Sequence, residues 1–166
     1  GNPIYKRESV KEFNVSNLLT HLERIEYHPK EDIMYLGGYT NERPKPRGEW
    51  GTVGTVIYKI DNWMKGERKV SVKFDLPHAS EKKFHISHIS AFCTAGDYLF
   101  AVECRSAKLH IYDVRTGDKV GEIQPKESGW IDFHDAIRAL KRKNGEYIVF
   151  VEEDAKNKVL IYRLRF

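Results

Sequence analysis

The segment KLHIYDVRTGDKVGEI at 108–123 decides the fold, because two β-prone runs and the turn between them are visible in its letters. Leu109 to Asp113 and Lys119 to Ile123 are the runs, and Thr116-Gly117-Asp118 supplies the polar, glycine-bearing turn that a hairpin needs. The Ile-Tyr pair inside the first run recurs in GTVIYKID at 54–61 and in KVLIYRLR at 158–165. Each pair follows a polar loop and precedes a charged residue.

Further segments line up around these pairs. An apolar run introduced by a turn precedes each one: EDIMYLGGY at 31–39, GDYLFAVEC at 96–104 and GEYIVFVEE at 145–153. Before those lie RIEYH at 24–28, HISAF at 88–92 and AIRAL at 136–140. Three copies of the same ordered set make a repeat architecture. A fourth run, RKVSVKFDLP at 68–77 and KVGEIQP at 119–125, follows the first two copies. The third copy stops at Phe166 without one, and RESVKEFNVS at 7–16 reads as an outer strand placed ahead of the first copy.

Turn chemistry agrees with these strands. KNGE at 143–146 puts Asn-Gly between two β runs, TAGD at 94–97 takes the same place in the second copy, and HPKED at 28–32 uses proline in the first. The second strands are dense in Val, Ile, Phe and Tyr with little alternation, the pattern of strands covered on both faces. In VSNLLTHLERI at 15–25, Leu18, Leu19, Leu22 and Ile25 have helical spacing and Ser16 stands where a cap belongs, so a short helical turn is expected before the first strand.

On these residues the chain resembles the β-propeller superfamily, whose blades are four-stranded antiparallel sheets set radially. KLHIYDVRTGDKVGEI is similar to the third-to-fourth-strand hairpin of WD40, NHL and quinoprotein-like propellers, although the Gly-His and Trp-Asp pairs of WD40 repeats are missing. The resemblance implies an all-β segment spanning 1–166. Residues 7–16 would form an outer strand completing another blade, 17–77 the first blade, 78–125 the second, and 126–166 a third blade lacking its outer strand. Propellers have four to eight blades, so three resemble half of a roughly six-bladed ring. The remaining blades then come from the same gene, from a second chain or from a homodimer. The start at Gly1-Asn2-Pro3, without Met, reads as a processed product or a piece of a longer protein.

Composition sets the other limits. With 166 residues, 40% hydrophobic and 31% charged, the chain fits one domain with a real core. Its net charge of +4 is small, and the densest basic stretch, ALKRKNG at 139–145, reads as a solvated turn, so no nucleic-acid partner is expected. No apolar run reaches 18 residues, so no membrane-spanning helix is expected. Cys93 and Cys104 flank the TAGD turn at unequal distances and read as free thiols without metal spacing. No nucleophile elbow, P-loop, dinucleotide fingerprint or HExxH occurs, so the residues call for no cofactor and give no independent warrant for an enzyme.

Function is sought at the strand ends, since propellers place their sites on one face around the channel. The loop TNERPKPRGEWGT at 40–52 is more than twice as long as its counterparts CRSAK at 104–108 and EEDAKN at 152–157. Arg43, Arg47 and Trp50 in it suit an anionic ring-bearing ligand such as an acidic sugar, by charge pairing and stacking. Arg105 and Trp130 lie on neighbouring loops, and His21 and Arg24 enter the first inner strand. His85, His88, Asp132 and His134 are the candidates for acid–base chemistry. EED at 152–154 reads as a solvated loop because Lys156 and Lys158 follow. Two functions follow: a recognition module for a glycan or protein partner, and part of a propeller lyase or hydrolase acting on polysaccharide.

Overall fold

The computed structural model describes residues 12–41, 53–76, 89–103, 106–126, 137–153 and 156–166. Within them the chain is all-β. Eleven strands run in chain order: β1 His21–His28, β2 Ile33–Asn41, β3 Val53–Asp61, β4 Lys69–Asp75, β5 Ile89–Ala95, β6 Tyr98–Glu103, β7 Leu109–Asp113, β8 Lys119–Ile123, β9 Ile137–Lys141, β10 Tyr147–Glu153 and β11 Lys158–Leu164. They form three antiparallel sheets in which sequence neighbours pair: β1-β2-β3-β4, β5-β6-β7-β8 and β9-β10-β11. No helix among the described residues is long and apolar enough to cross a membrane.

The hairpin turns follow their residues. Gly96-Asp97 joins β5 to β6, with Ala95 opposite Tyr98 and Gly96 at a φ of 56°. In the third sheet Gly145 takes a φ of 83°, its N–H donates to Arg142 O, and the Glu146 N–H donates to Asn144 Oδ1. The first hairpin closes around Asp32, whose carboxylate accepts from the N–H groups of Met64 and Lys65 and from Tyr27 Oη. These bonds tie the β1–β2 turn to the turn after β3, and they hold the Asp32 carboxyl below the ordinary aspartate value.

Three apolar layers give the sheets their order. Tyr35, Ile57 and Phe74 of the first sheet meet Phe92, Leu99 and Tyr112 of the second. Phe100, Val102 and Ile111 of the second sheet meet Tyr147, Val149 and Val151 of the third. On the far side of the first sheet, Met34, Leu36, Val56 and Ile60 pack with Leu19 and Trp63, and Phe13, Val15 and Leu18 cover them in part. The middle strands β6 and β10 are buried along most of their length, as their unbroken apolar runs demand.

The recurrent Ile-Tyr pair has one orientation in all three sheets. Ile57 and Ile111 point forward into the layer shared with the next sheet, whereas Tyr58 and Tyr112 point back. Tyr162 likewise points back, into the layer between the second and third sheets, and Ile161 points forward, where it is 59% exposed. The repeat is therefore a packing device: one residue for the sheet ahead and one for the sheet behind.

Close approach explains Gly37 and Gly38. A Cβ on Gly37 would lie 2.4 Å from Phe92 Cε1, and one on Gly38 would lie 2.0 Å from the His21 carbonyl oxygen, beside the bulge between Leu22 and Arg24. Because the second obstacle is backbone, Gly38→Ala is expected to destabilise by roughly 1–3 kcal/mol. Thermal unfolding beside the wild type checks it.

Several expectations change. Residues 12–15, the later part of the stretch read as an outer strand of another blade at 7–16, precede β1 and lie outside the three sheets. There the Phe13 ring sits 5.3 Å from that of Trp63, with the Arg68 guanidinium 3.8 Å from the Phe13 centroid; residues 7–11 lie outside the described residues. The helical spacing at 15–25 gives one turn at 16–18, and β1 begins at His21. That turn is stabilised by Asn14, whose Oδ1 accepts from the Ser16 N–H, rather than by the Ser16 side chain. Glu153 in the EED stretch is buried, with Lys156 Nζ 3.5 Å from Oε1, so it is not part of a solvated loop. Cys93 is a buried free thiol opposite Phe100, and Cys104 lies outside the described residues.

Candidate functional site

The first strands of the three sheets, β1, β5 and β9, each at a sheet edge, line an open cleft. Arg24, Ile25 and Glu26 come from β1, Cys93 and Thr94 from β5, and Arg138 and Ala139 from β9. Alternation along β1 sets the polar side: Arg24, Glu26 and His28 fall opposite Gly37, Tyr35 and Ile33 of β2 and so face the second sheet. Ile25 and Tyr27 take the other face.

Glu26 is the centre of the polar contacts. Its carboxylate accepts from the Thr94 N–H at 3.1 and 3.2 Å and from the Thr94 hydroxyl at 2.5 Å. His28 Nε2 lies 2.9 Å from Glu26 Oε1 and 2.7 Å from Thr94 Oγ1. With the single hydroxyl proton committed to Glu26, His28 satisfies both contacts by donating from Nε2. Its ring is also held 5.4 Å from Tyr35.

This geometry decides what the cluster can do. In a nucleophilic triad the carboxylate holds one imidazole nitrogen and the hydroxyl faces the other. Here Glu26 and Thr94 share the same nitrogen, so no proton relay runs through His28. The cluster instead clamps the first sheet to the second across β1 and β5. Lys141 and Tyr147 of the third sheet do the same to the second through Asp97, with Nζ at 2.6 Å and Oη at 3.1 Å from Oδ2. Both bonds hold the Asp97 carboxyl below its ordinary range.

Two guanidinium groups complete the cleft. Arg24 stands over the Phe92 ring, 5.7 Å from its centroid, and Arg138 donates from Nη1 to the Ile137 carbonyl at 2.8 Å. Both lie close enough to Cys93 to favour its thiolate electrostatically, yet burial, the largest influence, pushes the thiol far up. Cys93 is thus an unreactive wall residue. Among the described residues no group of three or more His, Cys, Asp or Glu side chains is arranged to hold a metal ion.

Of the residues singled out from the sequence, Arg24 enters this cleft and His21 stands at the start of β1, 2.8 Å from Glu23. Arg43, Arg47, Trp50, His85, His88, Arg105, Trp130, Asp132 and His134 all lie outside the described residues. Sequence reading missed Glu26, His28, Thr94 and Arg138. For the first two a signal exists: Arg24-x-Glu26-x-His28 puts three polar groups on one face of an inner strand.

A second polar cluster is buried in the second sheet. Glu103 accepts from Ser106 Oγ at 2.6 Å and faces His110 Nε2 at 2.8 Å. Ser106 also accepts from the Lys108 N–H, so the cluster fixes the β6–β7 connection. Ser106 contacts Glu103 rather than the histidine, which makes this an internal tether.

No protein-family model matches the chain, and no curated protein matches it.

Proposed function

We propose that the chain is a propeller-type recognition module whose three sheets are consecutive blades of a roughly six-bladed ring, and that it binds an acidic glycan beside the inner strands. The observation that carries this reading is the convergence of Arg24 and Arg138 on one open cleft lined by all three inner strands. The carboxylate there, Glu26, is engaged by Thr94 and His28, which limits its opposition to an anion. Guanidinium forks suit carboxylate and sulfate groups, and an exposed polar cleft suits a hydrated ligand. The ring reading draws on the repeated strand order and on the forward-and-back packing of the Ile-Tyr pairs.

The test is equilibrium binding of the intact chain to acidic and neutral oligosaccharides at low and high salt. Acidic ligands should bind and lose affinity as salt rises. Arg24→Ala and Arg138→Ala should each weaken binding by about tenfold, with circular dichroism showing that each variant is folded. Equal binding of neutral and acidic ligands, or indifference to both substitutions, overturns the proposal.

A further inference from the structure

We infer that the forward face of the third sheet is a docking surface for a second copy of this chain, whose first sheet seats there. This rests on the ring reading above but not on the ligand proposed for it.

The argument is continuity with the two interfaces inside the chain. Ile57, pointing forward from the first sheet, is 1% exposed, and Ile111, pointing forward from the second, is 3% exposed. Ile161 repeats that position and direction on the third sheet, yet it is 59% exposed, and Val159 on the same face of β11 is 61% exposed. Strand register adds to the patch, since Ile161 pairs with Phe150, and Ile148 pairs with Leu140, which is also exposed. Arg138, Glu152 and Arg163 share this face, so it is mixed, and Leu140, Val159 and Ile161 are its exposed apolar part, standing where Ile57 and Ile111 stand in the two buried layers.

What fits it is the surface that already lies behind each Ile-Tyr pair in this protein. The backward faces of the second and third sheets receive Ile57 and Ile111; the backward face of the first sheet receives neither, and over β2 and β3 it is covered by Leu19 and Trp63, which leaves its β1 edge and its N-terminal cover to make the contact. Its inner part exposes Leu22 and Ile25, at 44% and 57%, and its outer part carries the half-buried Phe13, Val15 and Leu18. Leu140 on the innermost strand and Val159 and Ile161 on the outermost would meet these in the same inner-to-outer order. The third sheet of each copy then packs on the first sheet of the other. The two contacts are related by a twofold axis and close a ring of six sheets, within the range such rings adopt.

The solution mass of the intact chain, by light scattering or sedimentation, tests this. The expected mass is twice the 19.4 kDa of the single chain. Ile161→Glu and Ile25→Glu each place an unpaired carboxylate in both contacts, so each should raise the dimer dissociation constant by at least about 100-fold. Both positions are more than half exposed in the single chain, so circular dichroism should show folded monomers. Mixing the two variants should restore part of the dimer, because the mixed pair keeps one unaltered contact. A monomeric wild type that still binds the acidic glycan overturns closure by a second copy and leaves the ligand reading standing. A dimer indifferent to both substitutions overturns the ring. Sensitivity to Ile161→Glu alone means that two third sheets meet face to face, which also overturns it.

Discussion

Ile111→Ala is expected to destabilise the protein by about 2–5 kcal/mol, whereas Ile161→Ala, the same step of the repeat one sheet later, should stay within about 0.5 kcal/mol in the dissociated chain. Ile111 is enclosed between the second and third sheets by Tyr147, Val149 and Val151, so truncation leaves a cavity. Ile161 faces outward, so in the single chain truncation leaves none. Lys108→Ala, on the same strand connection as Ile111, serves as the surface control. Denaturant unfolding at concentrations where the chain is monomeric checks all three, and similar midpoints for the two isoleucine variants would refute the assigned orientation.

Glu103→Ala should have the second large effect. Glu103 is buried, and its loss leaves Ser106 Oγ and the enclosed His110 Nε2 without their shared acceptor, at about 1–3 kcal/mol for each donor left unpaired. The pH dependence carries a sign that can be checked. Burial pushes the Glu103 carboxyl up, but the hydrogen bonds from His110 and Ser106, with the charge of Lys108, outweigh it and hold the group below the ordinary glutamate value of 4.5. A carboxyl depressed in the folded state contributes stability fully above its unfolded value, and loses it as the pH falls through the folded one. The wild type should therefore exceed Glu103→Gln in stability at neutral pH and converge towards it in acid below about 4.5. A constant gap across that window would mean that Glu103 holds the β6–β7 connection by shape alone.

The strands were legible because each copy writes its own turns and its own apolar run, and such signals are local. All eleven strands coincide with runs readable in the sequence. The Ile-Tyr pair identified the repeat, but the opposite duties of its two residues emerge only from the layers they enter. Tyr112 is enclosed between the first and second sheets while Ile111 is enclosed between the second and third. The cleft was far less legible. Glu26 meets Thr94 across 68 residues, and which side chains face it depends on the bulge between Leu22 and Arg24, a backbone event that hydrophobic pattern does not encode. The contact of Phe13 with Trp63 and Arg68 is likewise non-local, joining residues about 50 apart in sequence, and no local pattern announces it.

Two polar clamps, Glu26 with Thr94 and Asp97 with Lys141 and Tyr147, join the first sheet to the second and the second to the third. Under the proposed reading, charges held in place by these clamps would lower the entropic cost of binding a flexible anionic chain.

A crystal structure of the intact protein with a bound acidic oligosaccharide tests the central claim most directly. The expected result is a carboxylate or sulfate group within hydrogen-bond distance of Arg24 and Arg138, with Glu26 still bonded to Thr94. An oligosaccharide bound elsewhere, with neither arginine in contact, would contradict it.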